Sequence, residues 1–171
     1  MRRTMITLLT LLSLSVLAQP ISTVIKTQAI DMGRALLNHD QASFVKFLNP
    51  EMRKIAGSSD LIRQGMDSAF VLFEAMGGKV NRINYGDPSE IIPFHGQLQT
   101  TLTQSIFLST SFAEVEVTSI LLAVSLDGGK QWYFTEPNAY KAASKKFNLK
   151  PLSPKLIIPT IQQPRITPKN Q

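Results

Sequence analysis

Apolar residues recur at helical spacing in the first half of the chain and alternate in the second, and this change of period predicts helices followed by antiparallel strands. Ile21, Ile25, Ala29, Met32 and Leu36 share one face, widened by Val24 and Leu37, so residues 22–38 are predicted as an amphipathic helix with Thr27, Gln28, Asp31 and Arg34 on its wetter side. Asp40 is placed to cap a short helix carrying Phe44, Val45, Phe47 and Leu48, which Asn49-Pro50 ends. Pro50 opens another helical turn, Glu51 to Ala56, and Gly57 stops it. A third helix begins at Ser58-Ser59-Asp60 and carries Ile62, Met66, Ala69, Phe70 and Phe73 at helical spacing. Leu61, Val71, Leu72 and Met76 make that helix apolar on more than one side, which predicts that it is the most buried of the three. Gly77-Gly78 is its expected stop.

Beyond Gly78 the pattern alternates. Val80, Arg82 and Asn84 against Asn81, Ile83 and Tyr85 predict a first strand, and residues 90–94 a short edge strand compatible with Pro93. Leu98, Thr100, Leu102, Gln104, Ile106 and Leu108 share a face of a long strand, and Ala113, Val115 and Val117 share one in the next. After Thr118 the apolar phase becomes Ile120, Leu122, Val124 while Leu121 and Ala123 occupy the other face. Either a bulge shifts the register there or both faces are covered. The inward sets constructed from this pattern are Leu98/Leu102/Ile106 and Ile120/Leu122/Val124, with Glu114 and Glu116 facing away from the neighbouring valines.

The final hairpin, Ser125 to Thr135, contains the sharpest motif. Ser125-Leu126-Asp127-Gly128-Gly129-Lys130-Gln131-Trp132 fits Ser-x-Asp-x-Gly-x-x-Trp and resembles the Asp-box hairpin of sialidase propellers and of unrelated secreted folds. The carboxylate can accept from turn amides, the glycines permit positive φ, and the tryptophan returns to cover an apolar surface. Ser125, Asp127, Gly129 and Trp132 are therefore assigned a structural role in the turn. A single copy without internal repeat does not indicate a propeller.

Helix, short helix, helix, then antiparallel strands closing with a Gly-Gly hairpin resembles the nuclear transport factor 2-like superfamily over about residues 22–136. The segment Leu36 to Phe44 is similar to the Asp-then-Phe pattern that opens the second helix in many members. Asp87-Pro88-Ser89-Glu90-Ile91 ahead of the long strands is similar to a stretch in small exported proteins that end in a Ser-x-Asp-Gly-Gly hairpin. The resemblance implies an α+β fold in which N-terminal helices pack in a strongly curved antiparallel sheet, a cone-shaped half-barrel. Members include ketosteroid isomerase and scytalone dehydratase, so the resemblance also raises proton-transfer chemistry on a small apolar substrate in the cone.

Composition and charge narrow the function. The 171-residue chain has no cysteine, which excludes disulfides, thiolate nucleophiles, lipid-modified cysteine and Cys-rich zinc sites. Arg2 and Arg3 ahead of the apolar stretch Ile6 to Leu17 read as a signal peptide, residues 1–18, cleaved after Ala18, so the chain is expected to be exported to a periplasm or secreted. Residues 19–136 are then a single α+β domain carrying nine basic and twelve acidic residues, a net of −3. Residues 137–171 form a Pro-rich tail with seven basic residues and no acid, +7, giving +4 for the processed chain. Pro151, Pro154, Pro159, Pro164 and Pro168 predict an extended tail, and the aliphatics between them leave open whether part of it lies on the body or on a partner. The tail reads as a solvated charged terminus, with electrostatic contact to nucleic acid, an anionic lipid or membrane surface or an acidic polymer as the functional alternative. Its only aromatics are Tyr140 and Phe147, which argues against nucleic acid as a partner.

Candidate chemistry is sparse. Tyr85, Asp87, Glu90 and His95 lie near predicted strand ends, and His39 and Asp40 between the first two helices. Asp87 precedes Pro88 in a turn and Asp40 is explained as a cap, so neither is read as a base. The inward-facing sets contain no acid. Tyr85 and His95 are retained as candidates for lining a ligand pocket, with no catalytic residue assigned. The histidines are too isolated for a metal site, and no phosphate-binding loop or nucleophile elbow exists, so no cofactor is expected. Three classes remain: a non-catalytic exported binding module for a small apolar ligand, or for a protein partner or second copy on the sheet face; a small acid-base enzyme of the dehydratase or isomerase type; and an envelope accessory subunit docking through its tail.

Overall fold

The computed structural model describes residues 20–147, 149–160 and 162–169. The leader expected at residues 1–18 lies outside them. Local chemistry sets the helix boundaries much as the sequence indicates. Helix α1 spans Ile21–Leu37. Asp40 caps α2 (Gln41–Phe44), its carboxylate accepting from the Ser43 amide at 3.0 Å, and a 3-10 turn, Val45–Phe47, follows. The Asn49 side chain accepts from the Glu51 amide at 2.9 Å to start α3 (Pro50–Ile55), and the Ser58 hydroxyl accepts from the Leu61 amide at 3.1 Å to start α4 (Ser59–Ala75).

The strands are β1 (Lys79–Tyr85), β2 (Ile92–Phe94), β3 (Gln97–Ser109), β4 (Ala113–Ser125) and β5 (Trp132–Thr135), followed by helix α5 (Pro137–Phe147) and strand β6 (Arg165–Pro168). They form one antiparallel sheet in the order β1-β3-β4-β5. Strand β2 shares an edge of β3 with β1, and β6 shares an edge of β4 with β5. The sheet curls into a half-barrel, and the fold is α+β with α1 to α4 N-terminal to the sheet and α5 between β5 and β6.

Strands β3 and β4 pair in unbroken register from Leu98 opposite Ser125 to Ser109 opposite Glu114. This places Leu102 with Leu121, Gln104 with Ser119, Ile106 with Val117 and Leu108 with Val115 on the inner face. No bulge occurs in β4 against β3, so the change of apolar phase after Thr118 reflects a strand covered on both sides. The expected inward set Ile120/Leu122/Val124 is inverted. Leu121 and Ala123 join Ile25, Ala29, Met32, Leu102, Trp132 and Phe134 in the core beneath α1, whereas Leu122 and Val124 pack outward with Tyr140 and Leu156. A bulge does occur in β1, between Val80 and Arg82, and it returns Val80 to the inner face opposite Leu108. Strict alternation had put Val80 on the face opposite Ile83.

The outer cover is built by the described residues from Pro137 to Lys169, most of which the proline spacing predicted only as an extended tail. Helix α5 precedes those prolines. It starts where Glu136 Oε2 accepts from the Ala139 amide at 2.7 Å, and it buries Pro137, Tyr140 and Ala143. From Pro151 to Thr160 the chain has no helix or strand and makes one turn at Pro154-Lys155, and side chains of β3 satisfy part of its backbone. Gln99 donates to the Pro151 carbonyl at 3.0 Å and accepts from the Ser153 amide at 2.8 Å, and Thr101 donates to the Ile157 carbonyl at 2.9 Å. The Tyr140 hydroxyl donates to the Lys150 carbonyl at 2.9 Å, and burial raises its pKa. Strand β6 then covers Ala113–Glu116 of β4, with Lys169 3.1 Å from Glu114 and Arg165 3.7 Å from Glu116.

Gln99 is fully buried and makes the two shorter of three side-chain bonds to the Pro151–Ser153 backbone, the third coming from Gln97 at 3.5 Å. Truncating it leaves the Ser153 amide without a partner and the Pro151 carbonyl with only the 3.5 Å bond from the Gln97 side chain, at a cost of about 1–3 kcal/mol. Gln99→Ala is therefore expected to lower the midpoint of chemical unfolding and to speed proteolytic clipping near residue 150; unchanged clipping would show that the outer layer is held by other contacts.

Candidate functional site

Helix α4 is amphipathic twice over, and the structure does not bury it. None of its residues is buried, while Leu61, Val71, Leu72 and Met76 on its outer side are all more than half exposed. The expectation that it is the most buried of the three helices is thus overturned. Its second apolar side faces the sheet across a gap instead of packing into it.

That gap is a cleft of about 490 Å³, walled on one side by Met66, Ala69, Phe70 and Phe73 of α4 and on the other by Val80, Ile106, Leu108 and Val117 of the inner sheet face. Leu36 and Phe44 close one end, and among the described residues no polar one lines it. Polar ties at the rim hold α4 in place. Gln41 donates to Asp67, His39 lies 3.5 Å from Glu74, and the His39 and Phe70 rings meet at 4.6 Å. At the other end of the helix the Phe73 ring lies against Gly78, where a Cβ would come within 2.4 Å of it, so the turn into β1 needs glycine there.

Leu36, Phe44 and Ile106 also line a second hollow of about 280 Å³ that contains Tyr85 and Gln104. Across the sheet, Tyr85 pairs with Gln104 and Gln104 with Ser119. Gln104 donates to the Tyr85 hydroxyl at 3.1 Å and accepts from the Ser119 hydroxyl at 3.2 Å, forming a polar row between the core under α1 and the cleft under α4. Burial pushes the Tyr85 pKa up to about 12. The ring presses on α1 at Gly33, where an added Cβ would stand 2.6 Å from the hydroxyl oxygen.

The structure does not bring His95 to this site. It occupies the turn between β2 and β3 at φ 49°, against the Phe94 ring at 4.3 Å, beside a separate surface hollow that includes Gly96 and Gly128. The carboxylates are engaged elsewhere. Asp87 is 2.6 Å from Lys26 at the surface, Asp40 caps α2, and Glu136, which touches the smaller hollow, caps α5. Ser43 hydrogen bonds hold the Asp40 carboxyl below its ordinary pKa. Among the described residues, no group of three or more His, Asp or Glu could hold a metal ion.

Sequence reasoning missed Gln104, Gly33 and Phe44 as parts of the site. Gln104 left a visible trace, being a long polar side chain set between Leu102 and Ile106 on a mostly apolar inner row. Gly33 and Phe44 left none, since their roles come from the approach of Tyr85 and of α4.

The hairpin from β4 to β5 anchors the opposite end of the inner face. Asp127 Oδ1 accepts from the Ser125 hydroxyl at 2.9 Å and from the amides of Lys130 and Gln131 at 3.1 and 3.0 Å. Ser125 accepts from the Gly129 amide at 2.9 Å, and the Trp132 indole donates to the Gly129 carbonyl at 3.0 Å. Gly128 and Gly129 hold φ of 75° and 96°, which only glycine takes without strain. Trp132 is fully buried, and Gln28 of α1 clamps its strand by accepting from the Trp132 amide and donating to the Lys130 carbonyl, both at 2.8 Å. Gln28, expected on the wet side of its helix, is thus the bond between helix and hairpin.

Protein-family models and curated proteins were both searched, and neither search found a match to this chain.

The Gln131 amide, more than any other group, holds the Asp127 carboxyl below its ordinary pKa. A depressed folded-state pKa adds stability above the unfolded carboxylate's pKa and loses it as pH falls through the folded value. The melting temperature of Asp127→Asn is therefore expected to lie below that of the unaltered protein at pH 7 and to converge with it toward about pH 3. A gap that stays constant over that range would show that the charge on Asp127 is not what holds the turn.

Proposed function

We propose that the protein is a non-catalytic binding module whose ligand is a small apolar molecule seated between α4 and the inner face of the curled sheet. The observation that carries this reading is the cleft itself, about 490 Å³ with no polar residue in its lining among the described residues. That volume falls within the range of small-molecule sites, roughly 300–1,000 Å³. Water in such a space finds no hydrogen-bond partner in the walls, so an apolar occupant gains the free energy of removing both surfaces from water. The adjoining hollow, with Tyr85 and Gln104, offers a polar spot at one end of an otherwise greasy site.

A helix with no buried residue, tied by rim contacts and ending at Gly77-Gly78, is a wall that can adjust to its occupant. The acid-base enzyme is the less supported reading because it needs a carboxylate or imidazole in the cleft, and Asp40, Asp87, Glu136 and His95 each serve another contact. The helix-in-half-barrel arrangement is compatible with a cone, and assigning it to the nuclear transport factor 2-like superfamily forms part of this proposal. So does export, which rests on Arg2, Arg3 and the apolar stretch up to Leu17.

The test is titration of the purified protein with a polarity-sensitive apolar fluorophore, repeated for Ala69→Trp, which places an indole in the cleft. Saturable binding is expected, weakened about tenfold or more by the substitution, while melting temperature changes little. Absence of saturable binding, or affinity indifferent to Ala69→Trp, would refute the site.

A further inference from the structure

We propose that the outer layer formed by α5 and the segment after it is a docking face for an anionic lipid surface. The seven basic residues after Glu136 divide into two groups in the structure. Arg165 and Lys169 are paired with Glu116 and Glu114 beside β6. Lys141, Lys145, Lys146, Lys150 and Lys155 are exposed, and among the described residues none stands within 4.0 Å of a carboxylate.

Helix geometry makes three of these lysines a surface. Pro137, Tyr140 and Ala143 turn α5 toward the sheet, and at 3.6 residues per turn Lys145 and Lys146 fall on the opposite side with Lys141 flanking them. Asn138 and Ala142 lie between, so that side carries neither an acid nor a bulky group that would hold it off a flat partner. The bond from Tyr140 to the Lys150 carbonyl and those from Gln99 to Pro151 and Ser153 fix Lys150 and its neighbours in the same layer. Residues 20–136 carry a net −3, so an anionic surface repels the rest of the molecule and orients it with this layer inward. A flat, sequence-indifferent sheet of negative charge suits such a face better than a groove-reading contact. The layer also lacks the interleaved aromatics on which single-stranded nucleic acid stacks.

The test uses the purified protein and sedimentation with vesicles of phosphatidylcholine, with and without phosphatidylglycerol. Binding is expected only to the anionic vesicles and should fall as salt is raised. Replacing Lys141, Lys145 and Lys146 by Gln should weaken it about 100-fold, while replacement by Arg should preserve it. Lys130→Gln, away from this layer, should leave binding unchanged, and circular dichroism of each variant reports that it is folded. Equal binding to neutral vesicles, no binding to anionic ones, or full binding by the folded Gln variant would overturn the proposal. Tighter lysine-dependent binding to duplex DNA than to the vesicles would also overturn it, by reassigning the layer to a polyanion.

Discussion

One helix cannot fill the inner face of this sheet, and most of what is distinctive in the molecule follows from that mismatch. Strands β3 and β4 are each 13 residues long, about 44 Å, whereas the 17 residues of α1 extend about 25 Å. Helix α1 begins against the hairpin, where Ile21 lies beside Gly129, and ends near Tyr85, partway down β3. Over that stretch Ile25, Ala29, Met32 and Trp132 close a dense core. Beyond it the inner rows Ile106–Val117 and Leu108–Val115 remain apolar but have no α1 above them. The row of Tyr85, Gln104 and Ser119 marks the change from packed to hollow, and its mutual hydrogen bonds allow polar side chains to sit there without penalty.

The same mismatch explains which parts of the fold were legible in the sequence. Helix ends were readable because Asp40, Asn49-Pro50, Ser58 and Gly77 act on their own neighbours. The hairpin was readable for the same reason, since Asp127 bonds within four residues of itself. The burial of α4 was not readable. Periodicity states that a helix side is apolar but not whether a partner reaches it, and here the sheet curls away. The facing of β4 failed in a related way. Leu122 and Val124 look inward until residues some 15–35 positions later are known to cover them, and Gln99 looks solvated until Pro151 and Ser153 arrive. The candidate site was legible only through Tyr85, because the cleft is a property of spacing between elements.

Charge and apolar surface are segregated by face. The cleft opens on the inside of the curl, while α5 and the lysines that follow it lie on the outside, with the double-sided strand β4 between them. Arg165 and Lys169 use their charge to hold β6 over an edge of β4, which would otherwise present unpaired backbone groups. Binding on one side and surface contact on the other therefore draw on different residues.

The central claim is that the apolar space between α4 and the sheet takes an apolar molecule while the core under α1 stays closed. Methyl NMR during titration with a long-chain alcohol measures this directly. The account predicts shifts at the methyls of Val80, Ile106, Leu108 and Val117, with those of Ile25, Leu102 and Leu122 unmoved. Shifts confined to Leu61, Val71 and Leu72 on the outer side of α4, or spread evenly through the core, would contradict it.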